Sequence, residues 1–242
     1  MNNHPKQLNL DVKLDGAIKL ENFIICPSTE IILRASKEFI SGSNTTRTFF
    51  MWGREGTGKN YLLHSINREF LGKKLHSAFI SFSHGPLDSP SVFDGLEKLD
   101  VIFIESMEQF PSVTEWELAL FNLINACLLS ESRILISSKV TAKELEIKLP
   151  DLKSRLLAFP AFELPEITEE EKFMAMKEAA DRKGLMFEDN VLSYILTHTS
   201  RKLSDLLSLL NELDNYSLEK QRKVSISLVK DLISNKQDNP DI

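Results

Sequence analysis

Two patterns of apolar residues alternate along the first two thirds of the chain. Short apolar runs of the kind buried in a parallel sheet occupy residues 48–52, 78–82, 101–104 and 134–137. Between them, apolar residues recur at helical spacing, first within residues 58–71 and then at Trp116, Leu120, Ile124 and Cys127. This alternation predicts right-handed β-α-β units and an α/β fold, a three-layer α/β/α core with a parallel sheet.

The last third of the chain has helical patterns only. After residues 162–165, apolar residues follow helical spacing over 188–199, 202–220 and 225–234, which predicts a small all-helical domain. Two sequences have the form of a capping box, in which a Thr and a Glu three residues later satisfy each other's backbone amides. They are Thr114 with Glu117 and Thr168 with Glu171, and each predicts the start of a helix.

The segment between the first predicted strand and its helix reads Gly-Arg-Glu-Gly-Thr-Gly-Lys-Asn. Glycines let consecutive backbone amides surround phosphates, a helix N-terminus favours their negative charge, and a lysine reaches the terminal oxygens. An ordinary glycine-rich turn is the alternative, but the flanking strand and helix favour phosphate binding. We therefore predict a nucleotide-binding P-loop formed by Gly53, Gly56, Thr57, Gly58, Lys59 and Asn60.

Two positions depart from the pattern of an active nucleotide hydrolase. Asn60 stands where Ser or Thr normally places a hydroxyl on Mg²⁺. After the strand 101–104, Glu105 replaces the usual Asp, and Ser106 replaces the carboxylate that orients the attacking water. Asn60 and Glu105 can still contribute to a Mg²⁺ site, although Glu105 has an alternative interpretation as a solvated acid at a strand end. We expect the chain's own ATPase activity to be weak or absent.

Composition narrows the class of protein. The 242 residues carry 29 Lys and Arg against 35 Asp and Glu, a net charge of −6, so the chain lacks the basic surface of a protein that coats nucleic acid. Neither of its two cysteines belongs to a metal-binding pattern. The sequence has no apolar run that spans a bilayer and no signal-peptide pattern at its N-terminus. These features predict a cytoplasmic protein without a membrane partner.

Four segments, at 52–56, 100–105, 116–121 and 149–156, together resemble the DnaA family of bacterial replication initiators. The resemblance is closest to the Hda-type regulators of that family and extends from residue 7 to about residue 233. It implies an AAA+ core with a helical lid that binds ADP or ATP, with Mg²⁺ as a further cofactor. We expect a flexible N-terminus at 1–18, the core at 19–164, the lid at 165–236 and a tail at 237–242.

The resemblance also assigns roles to single residues. Arg155 has the position of the arginine finger that one AAA+ subunit presents to its neighbour's nucleotide, although a plain surface arginine is the alternative. Ser138 stands near the place of a γ-phosphate sensor, followed by Lys139. Ser204 occupies the place of the lid sensor arginine, and Arg201, one turn earlier, is the candidate that replaces it.

The N-terminus resembles the peptide by which Hda-type proteins dock on the β sliding clamp of DNA polymerase III. Its polar anchor would be Gln7, and its apolar anchors would be Leu8, Leu10 and Val12. An unstructured polar tail is the alternative. No helix-turn-helix pattern follows the lid, so we expect contact with DNA only indirectly, through the clamp.

The resemblance therefore implies a negative regulator that docks on the DNA-loaded clamp and stimulates ATP hydrolysis by DnaA through Arg155. Such a protein would be associated with the nucleoid and could form a homodimer. Two alternatives remain: a helicase-loader-like ATPase that hydrolyses its own ATP, and a module that binds the clamp or DnaA without using nucleotide.

Overall fold

A parallel sheet of five strands, in the order β2-β3-β4-β1-β5, forms the centre of the N-terminal part of the chain. The computed structural model describes residues 20, 23, 26–42, 47–85, 87–185, 187–199 and 203–238. The strands are β1 (Thr48–Trp52), β2 (Ser77–Ser81), β3 (Val101–Glu105), β4 (Arg133–Ser138) and β5 (Ala161–Glu163). Their registers pair Phe50 with Ile136, and Phe103 with Leu135, so the carboxyl ends of the central strands meet at one edge of the sheet.

Helices cover both faces of this sheet, as the alternating pattern predicts. One face packs on α1 (Glu30–Ser41) and α2 (Lys59–Gly72), and the other on α3 (Thr114–Leu129) and α4 (Pro150–Leu157). Successive residues of β3 point to opposite faces: Phe103 lies in the cluster with α1 and α2, whereas Ile102 and Ile104 lie in the cluster with α3 and α4. The predicted three-layer α/β/α core is confirmed.

The helical part consists of α5 (Glu169–Arg182), α6 (Asp189–His198), α7 (Leu203–Lys220) and α8 (Ile226–Asp238). These helices have their own apolar cluster, which includes Met176, Leu192, Ile195, Leu210 and Val229. Because these helices pack against one another rather than against the sheet, their apolar residues follow helical spacing only.

One predicted capping box is confirmed and the other is wrong. At α5, the Glu171 amide donates to Thr168 Oγ1 at 3.1 Å, and the Thr168 amide donates to Glu171 Oε2 at 2.9 Å. At α3, the N-cap is Val113 without a side-chain cap, and Thr114 is already helical. Glu117 then lies one position past the place that a capping box requires, and its carboxylate turns inward to other partners.

The boundaries of the other elements lie close to their predicted positions. β2 begins and ends one residue earlier than predicted, and α8 extends four residues beyond residue 234. Helix α1 was not predicted from the sequence, although Ile32, Leu33, Phe39 and Ile40 follow helical spacing and are buried.

Candidate nucleotide-binding site

The predicted P-loop lies between β1 and α2, and its backbone is compatible with phosphate binding. Gly56 and Gly58 have φ values of 83° and 95°, in the left-handed region that glycine tolerates best. Gly58 is the N-cap of α2 and makes no side-chain cap hydrogen bond, so the helix does not satisfy its own first-turn amides. Together with the helix dipole, these amides fit a phosphate group.

Lys59 binds back onto the loop that precedes it. Its Nζ donates to the carbonyl oxygens of Gly53 and Arg54, each at 2.6 Å, and the residue is 8% exposed. Burial lowers the pKa of the Lys59 ammonium, while the negative charge of Glu108 opposes that shift. The same ammonium can exchange these carbonyl oxygens for phosphate oxygens, so Lys59 fits the role predicted for it.

Gly53 is fixed by close backbone packing. A Cβ atom at this position would lie 2.3 Å from the Leu164 carbonyl oxygen. The Leu164 amide donates to the Trp52 carbonyl at 2.7 Å, and the Gly53 amide donates to Ser138 at 3.2 Å. The start of the loop is therefore tied to β4 and to the connection between the core and α5.

Glu105 lies at the carboxyl end of β3 and is 5% exposed, which contradicts its alternative interpretation as a solvated acid. Its negative charge raises the pKa of His64, although burial has the larger effect and lowers the pKa overall. His64 stacks on Phe79 with ring centroids 4.7 Å apart and lies one turn of α2 after the exposed Asn60. His64 was not among the residues predicted from the sequence.

A second carboxylate, Glu108, is present at this edge of the sheet and was missed from the sequence. Ser106 has φ of 59°, and a 3₁₀ turn at Met107–Gln109 follows it. Glu108 Oε2 accepts hydrogen bonds from Ser138 Oγ at 3.3 Å and from the Lys139 amide at 2.9 Å. Its Oε1 atom is buried and makes no hydrogen bond within the described part of the chain. Glu108 thus joins the candidate sensor Ser138 to the surroundings of Lys59.

Lys139, which follows the candidate sensor, approaches the P-loop. Its Nζ lies 3.1 Å from Glu55 Oε2, and both side chains are substantially exposed. Exposed ion pairs of this kind contribute roughly 0–1 kcal/mol to stability. Within the described residues, no group of three or more His, Cys, Asp or Glu side chains has the arrangement of a metal site. A Mg²⁺ ion bound together with a nucleotide needs only one or two protein carboxylates.

Arg155 is exposed on the last turn of α4. It does not belong to the P-loop or to α2, the elements that carry Lys59. Glu117, on α3, accepts hydrogen bonds from the amides of Lys148 and Leu149 at 3.0 and 2.6 Å, directly before α4. The candidate lid residue Arg201 and the candidate clamp-binding residues Gln7, Leu8, Leu10 and Val12 lie outside the described residues.

A polar contact joins the start of the lid to the turn before α1. Glu171 Oε1 accepts from the Ser28 amide at 3.3 Å, while its other oxygen caps α5. Hydrogen bonds, chiefly from the Thr168 amide, lower the pKa of Glu171 to about 2. Cys26, in the same turn, is buried, with its sulfur 3.3 Å from Thr29 Oγ1.

Comparisons with known proteins agree with this description. Residues 169–233 match the family model described as the Hda lid domain. An uncharacterized protein of Haemophilus influenzae is 30% identical over 230 residues, which cover 95% of this chain and 99% of that protein. None of the described helices is long and apolar enough to span a membrane.

Solved structures resemble the chain in fold. Domain III of the Thermotoga maritima replication initiation protein DnaA matches with a TM-score of 0.71 and 19% identity, covering 91% of this chain and 97% of that one. AMPPCP-bound DnaA from Aquifex aeolicus matches with a TM-score of 0.71 and 18% identity, covering 93% of this chain and 71% of that one. The Thermotoga maritima RuvB branch migration motor matches with a TM-score of 0.64 and 17% identity, covering 89% of this chain and 71% of that one.

Proposed function

The chain belongs to the Hda/DnaA-related family of AAA+ proteins, and we propose that it regulates replication initiation by stimulating hydrolysis of the ATP bound to DnaA. In this proposal Arg155 is the arginine finger, and the chain's own nucleotide site has a structural role. A guanidinium stabilises the charge that develops on the transferred phosphoryl group, an effect of about 10³ to 10⁵ in rate when it is supplied by a second subunit.

The observation that carries the proposal is the contrast between the two sites. In the chain's own nucleotide site, Asn60 of the P-loop replaces the hydroxyl residue that binds Mg²⁺, and Ser106 after β3 replaces the second acid. Arg155, by contrast, is exposed on a helix that is anchored at its start. A finger has no target within its own subunit, so these features favour an action on a neighbour.

The residues of the P-loop would hold an adenine nucleotide, ADP or ATP. Amides at the start of α2 would bind its phosphates and Lys59 would neutralise them, while Asn60 and Glu105 would contribute to the coordination of Mg²⁺. The contact between Ser28 and Glu171 would keep the lid beside the core around this nucleotide. Ser138 and Arg201 would be its sensors.

Docking on the sliding clamp belongs to the same proposal. Gln7, Leu8, Leu10 and Val12 would bind the β clamp, which would bring the chain close to DNA and to DnaA. Binding to the clamp would raise the local concentration of Arg155 near DnaA. It does not change the chemistry that Arg155 performs.

The proposal is tested by mixing the purified protein with clamp, DNA and ATP-loaded DnaA and measuring formation of ADP. We expect Arg155→Ala to abolish stimulation and Arg34→Ala, which removes the same charge from the exposed side of α1, to preserve it. Stimulation that is absent in the wild type, or equal in both variants, would refute the proposal. Clamp binding that persists while stimulation is absent would instead favour a nucleotide-independent binding module.

One observation favours a second candidate function, hydrolysis of the chain's own ATP. Glu108 provides a carboxylate three residues after Glu105 and interacts with Ser138 and, through its charge, with Lys59. It could orient a water in place of the missing second acid. Turnover by the isolated protein that disappears in both Lys59→Ala and Glu108→Gln would establish this candidate, and absence of turnover would eliminate it.

A further inference from the structure

Glu117 is one of the few charged residues buried in the core, with 1% of its surface exposed. Its two carboxylate oxygens accept separate hydrogen bonds, Oε1 from the Lys148 amide at 3.0 Å and Oε2 from the Leu149 amide at 2.6 Å. Leu149 is the N-cap of α4 and has no side-chain cap of its own. A carboxylate from α3 thus binds the two backbone amides that immediately precede α4.

Other contacts anchor the same region. Lys148 Nζ donates to the Ser112 carbonyl, just before α3, at 3.0 Å. Lys153, on α4, donates to the carbonyls of Lys143 and Leu145 at 2.7 and 2.6 Å, which ties the helix to the irregular connection after β4. The start of α4 is therefore held to α3 by a buried charge, and its middle is held to the connection by a lysine.

We propose that Glu117 is a positioning residue that sets the direction of α4 and so aims Arg155 at the nucleotide of the neighbouring subunit. This inference rests on the proposed function. Leu149 precedes Arg155 by less than two helical turns, so a shift at the cap moves the guanidinium with the helix. A displacement of roughly 1 Å in a catalytic group costs on the order of a hundredfold in rate.

Burial of an acid at this position has a cost that apolar packing would avoid. A buried carboxylate needs hydrogen-bond partners, and the two partners of Glu117 are both backbone amides at the start of α4. Leu152 and Leu156 of α4 already lie fully buried in the apolar cluster shared with α3. Apolar packing holds the helix against α3, whereas the carboxylate fixes where along α3 the helix begins.

The test compares Glu117→Gln with Cys127→Ala in stimulation of DnaA. Glutamine keeps the shape of the side chain but accepts a hydrogen bond at only one of the two atoms. Cys127→Ala removes a buried group from the same helix, almost three turns after Glu117. We expect Glu117→Gln to lower the maximal stimulated rate about ten- to a hundredfold, with the half-maximal concentration changed less than about threefold. Cys127→Ala should stay within about twofold of the wild type.

A distance measurement with spin labels tests the role of Glu117 without depending on the stimulation of DnaA. Spin labels at Arg155→Cys and Arg34→Cys report the distance between α4 and α1, and the distribution should broaden or shift with Glu117→Gln but not with Cys127→Ala. Lys153→Met, which removes the other anchor of α4, should act in the same direction. An unchanged distribution in Glu117→Gln would overturn the inference, as would equal loss of rate in Glu117→Gln and Cys127→Ala. A wild type that fails to stimulate DnaA refutes the proposed function, and the label distances then decide the role of Glu117.

Discussion

Replacing Gly53 with alanine tests how tightly the P-loop is joined to the connection between core and lid. The added Cβ would lie 2.3 Å from the Leu164 carbonyl oxygen and 3.2 Å from Thr57 Oγ1. The first distance is more than about 1 Å shorter than a favourable contact between heavy atoms. The carbonyl cannot easily retreat, because the Leu164 amide is hydrogen-bonded to Trp52 at 2.7 Å. Overpacking of this kind costs about 1–3 kcal/mol, so we expect a loss of about 2 kcal/mol in the free energy of unfolding.

The matched control is the same substitution at Gly72. Gly72 is the last residue of α2, and a Cβ there meets nothing within 4 Å. Alanine favours the helix over glycine, so Gly72→Ala should be neutral or stabilise by up to about 1 kcal/mol. Urea unfolding of both variants measures the difference. A Gly53→Ala protein as stable as Gly72→Ala would refute the close packing described for this loop.

The helix cap at α5 and the buried thiol of α3 can each be tested by substitution or by chemical reactivity. Thr168→Ala should destabilise the protein by about 1 kcal/mol and increase hydrogen exchange at the start of α5, since it removes the capping box. The pKa of Glu171 is lowered to about 2, so its stabilising contribution is complete above pH 4.5 and is lost as the pH falls toward 2. The free energy of unfolding should therefore decline less steeply with acid in Glu171→Gln than in the wild type, as a urea series between pH 7 and pH 3 would show. Burial raises the pKa of Cys127 to about 11, so this thiol should react slowly with thiol reagents in the native protein and rapidly in urea.

The sequence predicts those features whose determinants are local. The run 48–52 coincides with β1, because an apolar segment followed by a glycine loop identifies its own ends. The Thr168 capping box is confirmed because both of its partners belong to one exposed helical turn. The order of strands and helices along the chain could be predicted because the spacing of apolar residues within each segment differs between strands and helices.

Features that depend on contacts distant in the sequence could not be predicted in this way. Glu117 has the spacing of a capping-box acid, but its amide partners lie more than thirty residues later, at 148 and 149. Glu108 becomes part of the site only because Ser106 adopts a positive φ and the following turn brings the carboxylate to Ser138. The sequence pattern places a second carboxylate directly after the strand-end acid, so it does not identify a glutamate three residues later.

The proposed function requires Arg155 to act on a nucleotide held by DnaA rather than on the chain's own. The most direct measurement is a single-turnover assay in which DnaA carries radiolabelled ATP and this protein is preloaded with unlabelled ADP, with clamp and DNA present. We expect the wild type to convert the labelled ATP on DnaA to ADP at least about 10³-fold faster than Arg155→Ala does. Equal rates of conversion with the wild type and with Arg155→Ala would contradict it.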